Sequence, residues 1–355
     1  MEFWYDVLVM KKIIWLLSAL FLLMLVIFSV FPKFFGSVVS YKIDDYKKLI
    51  TPSLPPLDIV TYDRKINELA NNPVFIGPRK ISNLWPVETV YPKAGAILPF
   101  KRIVAYYGNL YSKQMGVLGQ YPEEEMLQKL DGEVKKWETA DPDTPVLPAL
   151  HYIAVVAQGS AGKDGKYRTR MPDSEIDKVL AMATKIDAMV FLDLQVGFSN
   201  VQTEIPLLEK YLKMPKVYLG IDPEFSMKGK IRPGKIVGTL DAADINFAAD
   251  YLAKIVQENN LPPKVLVIHR YTQKMVTNYK EIKPLPEVQI VMHMDGWGGM
   301  KKKIGTYKAF IYPEPVQFAG FKLFYKNDVW EPNTVLMTPA DLLELQPRPI
   351  YIQYQ

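Results

Sequence analysis

Two acidic residues at the end of an apolar segment are the sharpest chemical feature of this sequence. Asp222 and Glu224 follow the run VYLGI as the tripeptide Asp-Pro-Glu. In an extended chain, side chains two residues apart point to the same face, so these carboxyl groups would share one environment. Burial and mutual repulsion can separate their pKa values, so that one is protonated and the other ionised near neutral pH. Cleavage of a glycosidic bond requires such a protonated carboxyl group beside an ionised one.

Polar and aromatic residues end the other apolar segments in the same manner. A solvated surface would not place acids, imidazoles and aromatic rings selectively at the ends of apolar strands, so we predict that these residues converge on one site. The candidates are Asp193 with Gln195, His269 with Tyr271, His293 with Asp295 and, singly, Tyr107, Asn109, Trp297 and Lys322.

The candidate residues divide into two roles. The catalytic candidates are the four acids, with Glu224 paired with Asp222, Asp193 or Asp295. The aromatic candidates offer flat faces on which sugar rings can stack. The predicted substrate-binding residues are Tyr107, Asn109, Gln195, His269, Tyr271, His293, Trp297 and Lys322.

The composition excludes several other chemistries. The 355 residues include no cysteine, which excludes a disulfide framework, a cysteine nucleophile and a thiolate metal site. The net charge of +5 is too mild to indicate a nucleic-acid partner. Of the three histidines, His151 lies mid-strand and is interpreted as a core residue. We predict no cofactor and no metal.

A metal-dependent hydrolase is an alternative. Its ligands would be drawn from His269, His293, Asp295 and Asp193, because the strands that carry them are predicted to be neighbours. The helical H-E-x-x-H motif and dense Asp/His clusters that are usual for such sites are absent from the sequence. We therefore rank this alternative below acid/base chemistry by carboxyl groups.

From about residue 100, short apolar segments alternate with helical ones, over about 250 residues, as in a (β/α)8 TIM barrel. The predicted strands are Arg102–Gly108, Val146–Ala157, Ala188–Gln195, Val217–Asp222, Lys235–Leu240, Lys264–Arg270, Val288–Asp295 and Gly320–Tyr325. The predicted helices are Glu123–Trp137, Asp173–Lys185, Ile205–Leu212, Ala242–Glu258 and Met300–Phe310. The C-terminal segment Ile350–Gln355 could replace Gly320–Tyr325 as the closing strand.

A doubly wound open sheet is the alternative fold. That fold usually places a glycine-rich phosphate turn after its first strand. Here the turn is Gly108-Asn109-Leu110-Tyr111, without the G-x-G-x-x-G spacing. The barrel is therefore favoured, with its chemistry at the C-terminal ends of the strands.

The N-terminal region predicts a membrane anchor. Residues Ile13 to Phe31 form an uncharged run of 19 residues, which as a helix would span about 28 Å. Lys11 and Lys12 precede the run and favour a cytoplasmic N-terminus. A cleaved signal peptide is the alternative, although the run is long for one. We predict a cytoplasmic segment 1–12, an anchor 13–31, a proline-rich stalk and packing arm 32–98, and an extracytoplasmic barrel 99–355.

The segment YLGIDPEF resembles the fourth strand of two (β/α)8 glycoside hydrolase families, the chitinases and the phage-type lysozymes. Both carry Asp-x-Glu there, and the resemblance implies Glu224 as proton donor and Asp222 as its supporting carboxylate. The chitinase pattern has two further acids upstream, where Lys216–Gly220 has none, so substrate-assisted chemistry is not implied. The exported layout is also similar to that of bacterial surface proteins with a glycosidase-like barrel.

These observations predict a membrane-anchored, extracytoplasmic glycoside hydrolase that acts on a cell-envelope or environmental glycan. A second hypothesis is a barrel that binds glycans or assists envelope assembly without catalysis. The separation and orientation of the acids at the barrel rim distinguish the two, because acids that point away from any pocket favour the binding role.

Overall fold

The computed structural model describes residues 54–73 and 83–355, and in this part of the chain eight parallel strands form a closed barrel. Each strand pairs with the next, and the last pairs with the first, with Val104 beside Ile352. The predicted (β/α)8 barrel is confirmed. The strands are β1 Arg102–Gly108, β2 Val146–Ala157, β3 Met189–Leu194, β4 Val217–Ile221, β5 Lys264–Arg270, β6 Val288–Met294, β7 Phe318–Leu323 and β8 Tyr351–Tyr354.

Helices connect most of the strands. The longer ones in the described residues are α1 Ile59–Ala70, which precedes the barrel, α2 Glu123–Ala140, α3 Asp173–Lys185, α4 Ala242–Asn259, α5 Met300–Phe310 and α6 Pro339–Leu343. Short helical pieces spanning Val201 to Leu212 join β3 to β4, whereas β5 and β6 are joined by 3-10 turns. Proline begins both α2 and α3 with acidic residues in the first turn, where the helix dipole stabilises negative charge.

One predicted strand is wrong. Lys235–Leu240 is mostly a loop after β4, and Leu240–Asp241 forms a short ladder with Val276–Thr277 outside the barrel. The β-branched residues of this segment resemble a strand, but β-propensity reflects fit to a packed, pleated surface, and Ile236 and Val237 are exposed. The two segments proposed as alternative closing strands are both in the barrel, as β7 and β8.

Asp241 and Asp244 cap α4. Asp241 Oδ1 accepts from the backbone N–H of Ala243 at 3.0 Å, and Asp244 Oδ2 accepts from the N–H of Asp241 at 3.2 Å. These reciprocal bonds satisfy backbone donors that the first helical turn leaves free. The two acids therefore belong to the helix start and not to the chemical site.

The inward side chains change from apolar to polar along the barrel axis. At the N-terminal ends of the strands, Ile103, Met189, Tyr218 and Phe318 pack into one apolar cluster. Because inward residues recur with period two, the same strands carry polar groups further along. These inward polar and aromatic residues are Tyr107, His151, Asp193, His269, His293 and Lys322, all nearly or fully buried. The fold thus collects the ionisable groups at one end of the barrel.

Residues before the barrel pack against its opposite, N-terminal end. The side-chain amide of Gln289 accepts from the N–H of Leu98 at 3.1 Å and donates to its carbonyl at 2.6 Å. The Trp85 indole donates to the carbonyl of Tyr312 at 2.9 Å.

The predicted membrane anchor, residues 13–31, lies outside the described residues. No helix in 54–73 or 83–355 combines the length and apolar character that crossing a bilayer requires.

Candidate active site

The C-terminal ends of the barrel strands surround a pocket of about 570 Å³, a volume in the range of small-molecule sites. Both ionisable and aromatic side chains line it, so a polar ligand could be held between charged and flat surfaces. The predicted residues that line this pocket are Tyr107, Gln195, Asp222, Glu224, Tyr271, Asp295, Trp297 and Lys322.

Glu224 reaches the pocket from the turn that follows β4. Pro223–Phe225 forms a 3-10 turn capped by Asp222, whose Oδ1 accepts from the Glu224 N–H at 3.0 Å. Burial and the negative charge of Asp295 raise the pKa of Glu224, against the opposing effect of the Tyr271 hydroxyl. Burial raises the pKa of Asp222 well above its usual value. Both carboxyl groups on the β4 side of the pocket therefore have raised pKa values.

Asp295 is an ionised carboxylate on another wall of the same pocket. Its Oδ1 lies 2.9 Å from Lys322 Nζ, and its Oδ2 lies 2.8 Å from His269 Nδ1. Burial opposes ionisation, but the positive charges of Lys322 and His269 outweigh it and hold the pKa of Asp295 below its usual value. The pocket thus brings together carboxyl groups whose pKa values are shifted in opposite directions.

A buried network lies beneath the pocket. Asp193 Oδ2 accepts from the Tyr107 hydroxyl at 2.9 Å, and Asp193 Oδ1 lies 3.4 Å from His269 Nε2. Burial disfavours a charged imidazole, yet the flanking carboxylates of Asp193 and Asp295 raise the pKa of His269 to about 10. His269 is therefore positively charged and fixes the orientation of Asp295. Asp193 supports the site from below without lining the pocket.

Three predicted substrate-binding residues do not line the pocket: His269, in the network beneath it, and Asn109 and His293. Asn109 is buried in the loop after β1, where its Nδ2 donates to the Ile153 carbonyl at 3.0 Å and its Oδ1 accepts from the Tyr111 N–H at 2.9 Å. Through these two hydrogen bonds the Asn109 side chain stabilises the conformation of the loop. His293 is fully buried between the rings of His269 and Tyr351. Burial and the positive charge of His269 lower its pKa well below the usual value, so His293 is neutral.

His151, interpreted from the sequence as a core residue, is fully buried in the barrel interior. Its Nδ1 lies 2.6 Å from the Tyr351 hydroxyl, and its Nε2 lies 3.3 Å from Asp193 Oδ1. Burial lowers the pKa of His151 to about 4, so the imidazole is neutral.

Several residues of the pocket were missed by the sequence interpretation. Lys302 Nζ lies 4.4 Å from the centre of the Trp297 ring, a cation–π contact that holds the half-exposed indole. Gln355 could have been predicted from the sequence, because it continues the period-two spacing of the inward side chains of β8. The residues from loops follow no spacing that would predict their place in the pocket. The missed lining residues are Gln114, Met115, Ile153, Ala157, Phe225, Gly296, Lys302, Thr306, Phe324 and Gln355.

A glycine in β4 makes room for the buried network, and its substitution should be destabilising. A Cβ at Gly220 would clash with the Asp193 carboxylate and lie 2.5 Å from His151 Nε2. We expect Gly220→Ala to lower the free energy of unfolding by about 1–3 kcal/mol, the usual cost of overpacking a core. The matched control is Gly305→Ala in α5, where a Cβ meets open space and should stabilise the helix by about 1 kcal/mol. Urea unfolding measures both, and equal effects would contradict the steric argument.

Comparisons with known proteins find a likeness to solved structures only. No protein-family model and no curated protein matches this chain. Among solved structures, a chain described as "Cellulase Cel5C_n" is similar at 12% identity and a TM-score of 0.38. The likeness covers 72% of this chain and 75% of that one. A TM-score of this size carries no argument about function, so the functional assignment depends on the pocket itself.

Proposed function

We propose that this protein is a glycoside hydrolase in which Glu224 is the general acid and Asp295 the ionised partner. One observation carries the proposal. The two carboxyl groups line the same pocket at the C-terminal end of the barrel, and their surroundings drive their pKa values in opposite directions. Opposite protonation of two carboxyl groups in one cleft is what glycosidic bond cleavage requires.

The chemistry assigns one step to each group. Glu224 donates its proton to the glycosidic oxygen as the bond from that oxygen to the anomeric carbon breaks, and the bonding electrons leave with the oxygen. Asp295 stabilises the positive charge that develops on the sugar ring. It then either bonds to the anomeric carbon or takes a proton from the attacking water. In the covalent case, water then displaces the Asp295 carboxylate from the anomeric carbon and gives its proton to Glu224, which restores both groups. In the other case, water supplies the hydroxyl group directly, its proton goes to Asp295, and exchange with solvent returns a proton to Glu224.

Aromatic residues supply a surface for the sugar rings. Trp297 is about half exposed at the pocket, and Tyr271 lies beside Glu224. We expect Trp297→Ala to raise KM by about two- to tenfold with little change in kcat, because aromatic stacking contributes about 0.5–1.5 kcal/mol to binding. Trp330→Ala, at an indole outside the pocket lining, is the control. A decrease in kcat alone would contradict a binding role for Trp297.

The pH dependence follows from the two pKa shifts. Activity needs Glu224 protonated and Asp295 ionised. The pKa of Asp295 is lowered and that of Glu224 is raised, so kcat/KM should persist into the acidic range and fall as the pH rises through the pKa of Glu224. Rate profiles across the acidic and alkaline ranges would measure this. The residual activity of Glu224→Gln should no longer decrease at high pH. If the decrease were unchanged in this variant, it would result from the titration of another group.

The direct test is a survey of polysaccharides. The purified protein is incubated with soluble cell-wall and plant or microbial glycans, and reducing ends are measured together with products by mass spectrometry. The double variant Glu224→Gln/Asp295→Asn serves as the inactive reference. Release of oligosaccharides by the wild type and not by the double variant supports the proposal. Equal release by both would refute it.

We also propose that residues 13–31 anchor the barrel on the outer side of the cytoplasmic membrane. The proposal is supported by the uncharged run and the lysine pair before it. Protease added to intact spheroplasts should remove the barrel while the N-terminus is protected. Full protection of the barrel until the membrane is broken would contradict it.

A further inference from the structure

Three ligand atoms converge inside the barrel, below the pocket. His151 Nε2 and His269 Nε2 lie 3.3 Å and 3.4 Å from Asp193 Oδ1, and all three atoms lie within 4.8 Å of one another. The three side chains are fully buried. None of these three atoms has a well-directed hydrogen bond to a group of the described chain. Buried polar atoms are almost always satisfied, so this arrangement requires an explanation.

The other polar atom of each side chain is held by a different neighbour. His151 Nδ1 contacts the Tyr351 hydroxyl at 2.6 Å, His269 Nδ1 contacts Asp295 Oδ2 at 2.8 Å, and Asp193 Oδ2 accepts from the Tyr107 hydroxyl at 2.9 Å. Histidine ligands of metal ions are oriented in this way, with the second ring nitrogen bonded to a carboxylate or hydroxyl group.

The distances fit a small ion with tetrahedral coordination. Bonds of about 2.0–2.2 Å from zinc to nitrogen and oxygen place neighbouring tetrahedral ligands roughly 3.3–3.5 Å apart. The two measured separations from Asp193 Oδ1 are in this range. Gly220 faces the same spot, where a Cβ would lie 2.5 Å from His151 Nε2. The sequence therefore leaves space beside the ligand atoms that any larger residue would fill.

We propose that His151, Asp193 and His269 bind one divalent transition-metal ion, with Zn²⁺ favoured by two imidazoles and one carboxylate. The set differs from the metal alternative considered from the sequence, because Asp295 orients His269 from outside the cluster and His293 is not part of it. The ion would replace the Nε2 proton of His269 and supply positive charge in its place, so that binding releases a proton. It would also fix Asp193 and His269 beneath the pocket and would thereby position Asp295. The proposal does not depend on glycan hydrolysis, since the cluster stands on its own geometry.

Metal content tests the proposal independently of activity. The full chain is purified without an affinity tag, and a second sample is refolded with Zn²⁺ or with Co²⁺. We expect about one equivalent of metal per chain by elemental analysis, a visible absorption band typical of tetrahedral Co²⁺, and a higher Tm for the loaded protein than for protein refolded with EDTA. Wild-type protein that has no stoichiometric metal after refolding with Zn²⁺ overturns the proposal.

Substitutions at the proposed ligands test which residues bind the ion. Asp193→Asn and His269→Gln should lose the metal and the Co²⁺ band, whereas His293→Gln, at an equally buried histidine outside the cluster, should retain both. Circular dichroism shows whether each variant is folded, and His151→Gln replaces any that is not. Metal that persists at one equivalent in folded Asp193→Asn would place the ion elsewhere and would also overturn the proposal.

Discussion

Glu224→Gln should lower kcat for an unactivated glycan by about 10²- to 10⁴-fold, the usual contribution of a general acid. Glutamine keeps the size of the side chain and cannot give a proton to the leaving oxygen. Glu224 is only half-buried and makes no salt bridge with a described residue, so the fold should tolerate the change. The measurement is initial rates on the best polysaccharide, with Glu124→Gln, an exposed acid of α2, as the control.

A substrate with a good leaving group sharpens this test. A nitrophenyl glycoside needs little protonation as its bond breaks, so Glu224→Gln should retain far more activity on it than on a polysaccharide. Equal losses on both substrates would argue against a role as acid. Full activity of Glu224→Gln on the polysaccharide would remove Glu224 from the mechanism. If the wild type binds glycans and hydrolyses none, the protein is a binding module.

Asp295→Asn should abolish most of the activity on both substrates, with a loss of at least about 10²-fold. The reason is that the amide carries no negative charge to stabilise the developing cation, whatever the leaving group. The change also leaves Lys322, which is almost fully buried, without its carboxylate, so we expect a loss of stability of about 3–5 kcal/mol. Rates are therefore compared per folded molecule, at a temperature below the Tm of the variant.

A matched control and a small nucleophile complete this test. Asp250→Asn, at an exposed position of α4, should leave rate and stability unchanged. Added azide can enter the space beside the neutral amide of the Asp295→Asn variant and should restore turnover, with a glycosyl azide as product. The anomeric configuration of the sugar released by the wild type distinguishes the two roles of Asp295, because a covalent role gives retention and a role as base gives inversion. Full activity of Asp295→Asn without azide would contradict the proposed mechanism.

Much of the barrel could be predicted because short apolar segments alternate with helical ones along the sequence. The limits of β1, β2 and β5 agree with the predicted segments, since their uninterrupted apolar runs fit strands that are buried on both faces. Lys235–Leu240 was mistaken for a strand because its local pattern is similar, whereas only pairing with neighbours decides which segments enter the barrel. The C-terminal segment Ile350–Gln355 could not be distinguished from Gly320–Tyr325 as the closing strand, because its pairing with β1 and β7 is not visible in its local pattern.

The identity of the acids could be predicted, but their protonation could not. Asp222 and Glu224 were expected to share a face and to form a catalytic pair. Both residues line the pocket, but Pro223 turns the chain there, so that Asp222 also caps the turn that carries Glu224. The ionised partner was left open among three acids. Lys322, which comes from β7, and His269, which comes from β5, single out Asp295, and no local pattern encodes that contact.

The sequence by itself determined the class of the fold, because strand-like and helical segments alternate along it. It also determined the end of the barrel at which the polar groups gather, because polar residues follow the apolar run of each strand. Only the tertiary structure decided which acid keeps its proton and which loses it. The physical reason is that pKa depends on burial and on charges a few ångströms away, and those charges belong to strands far apart in the chain.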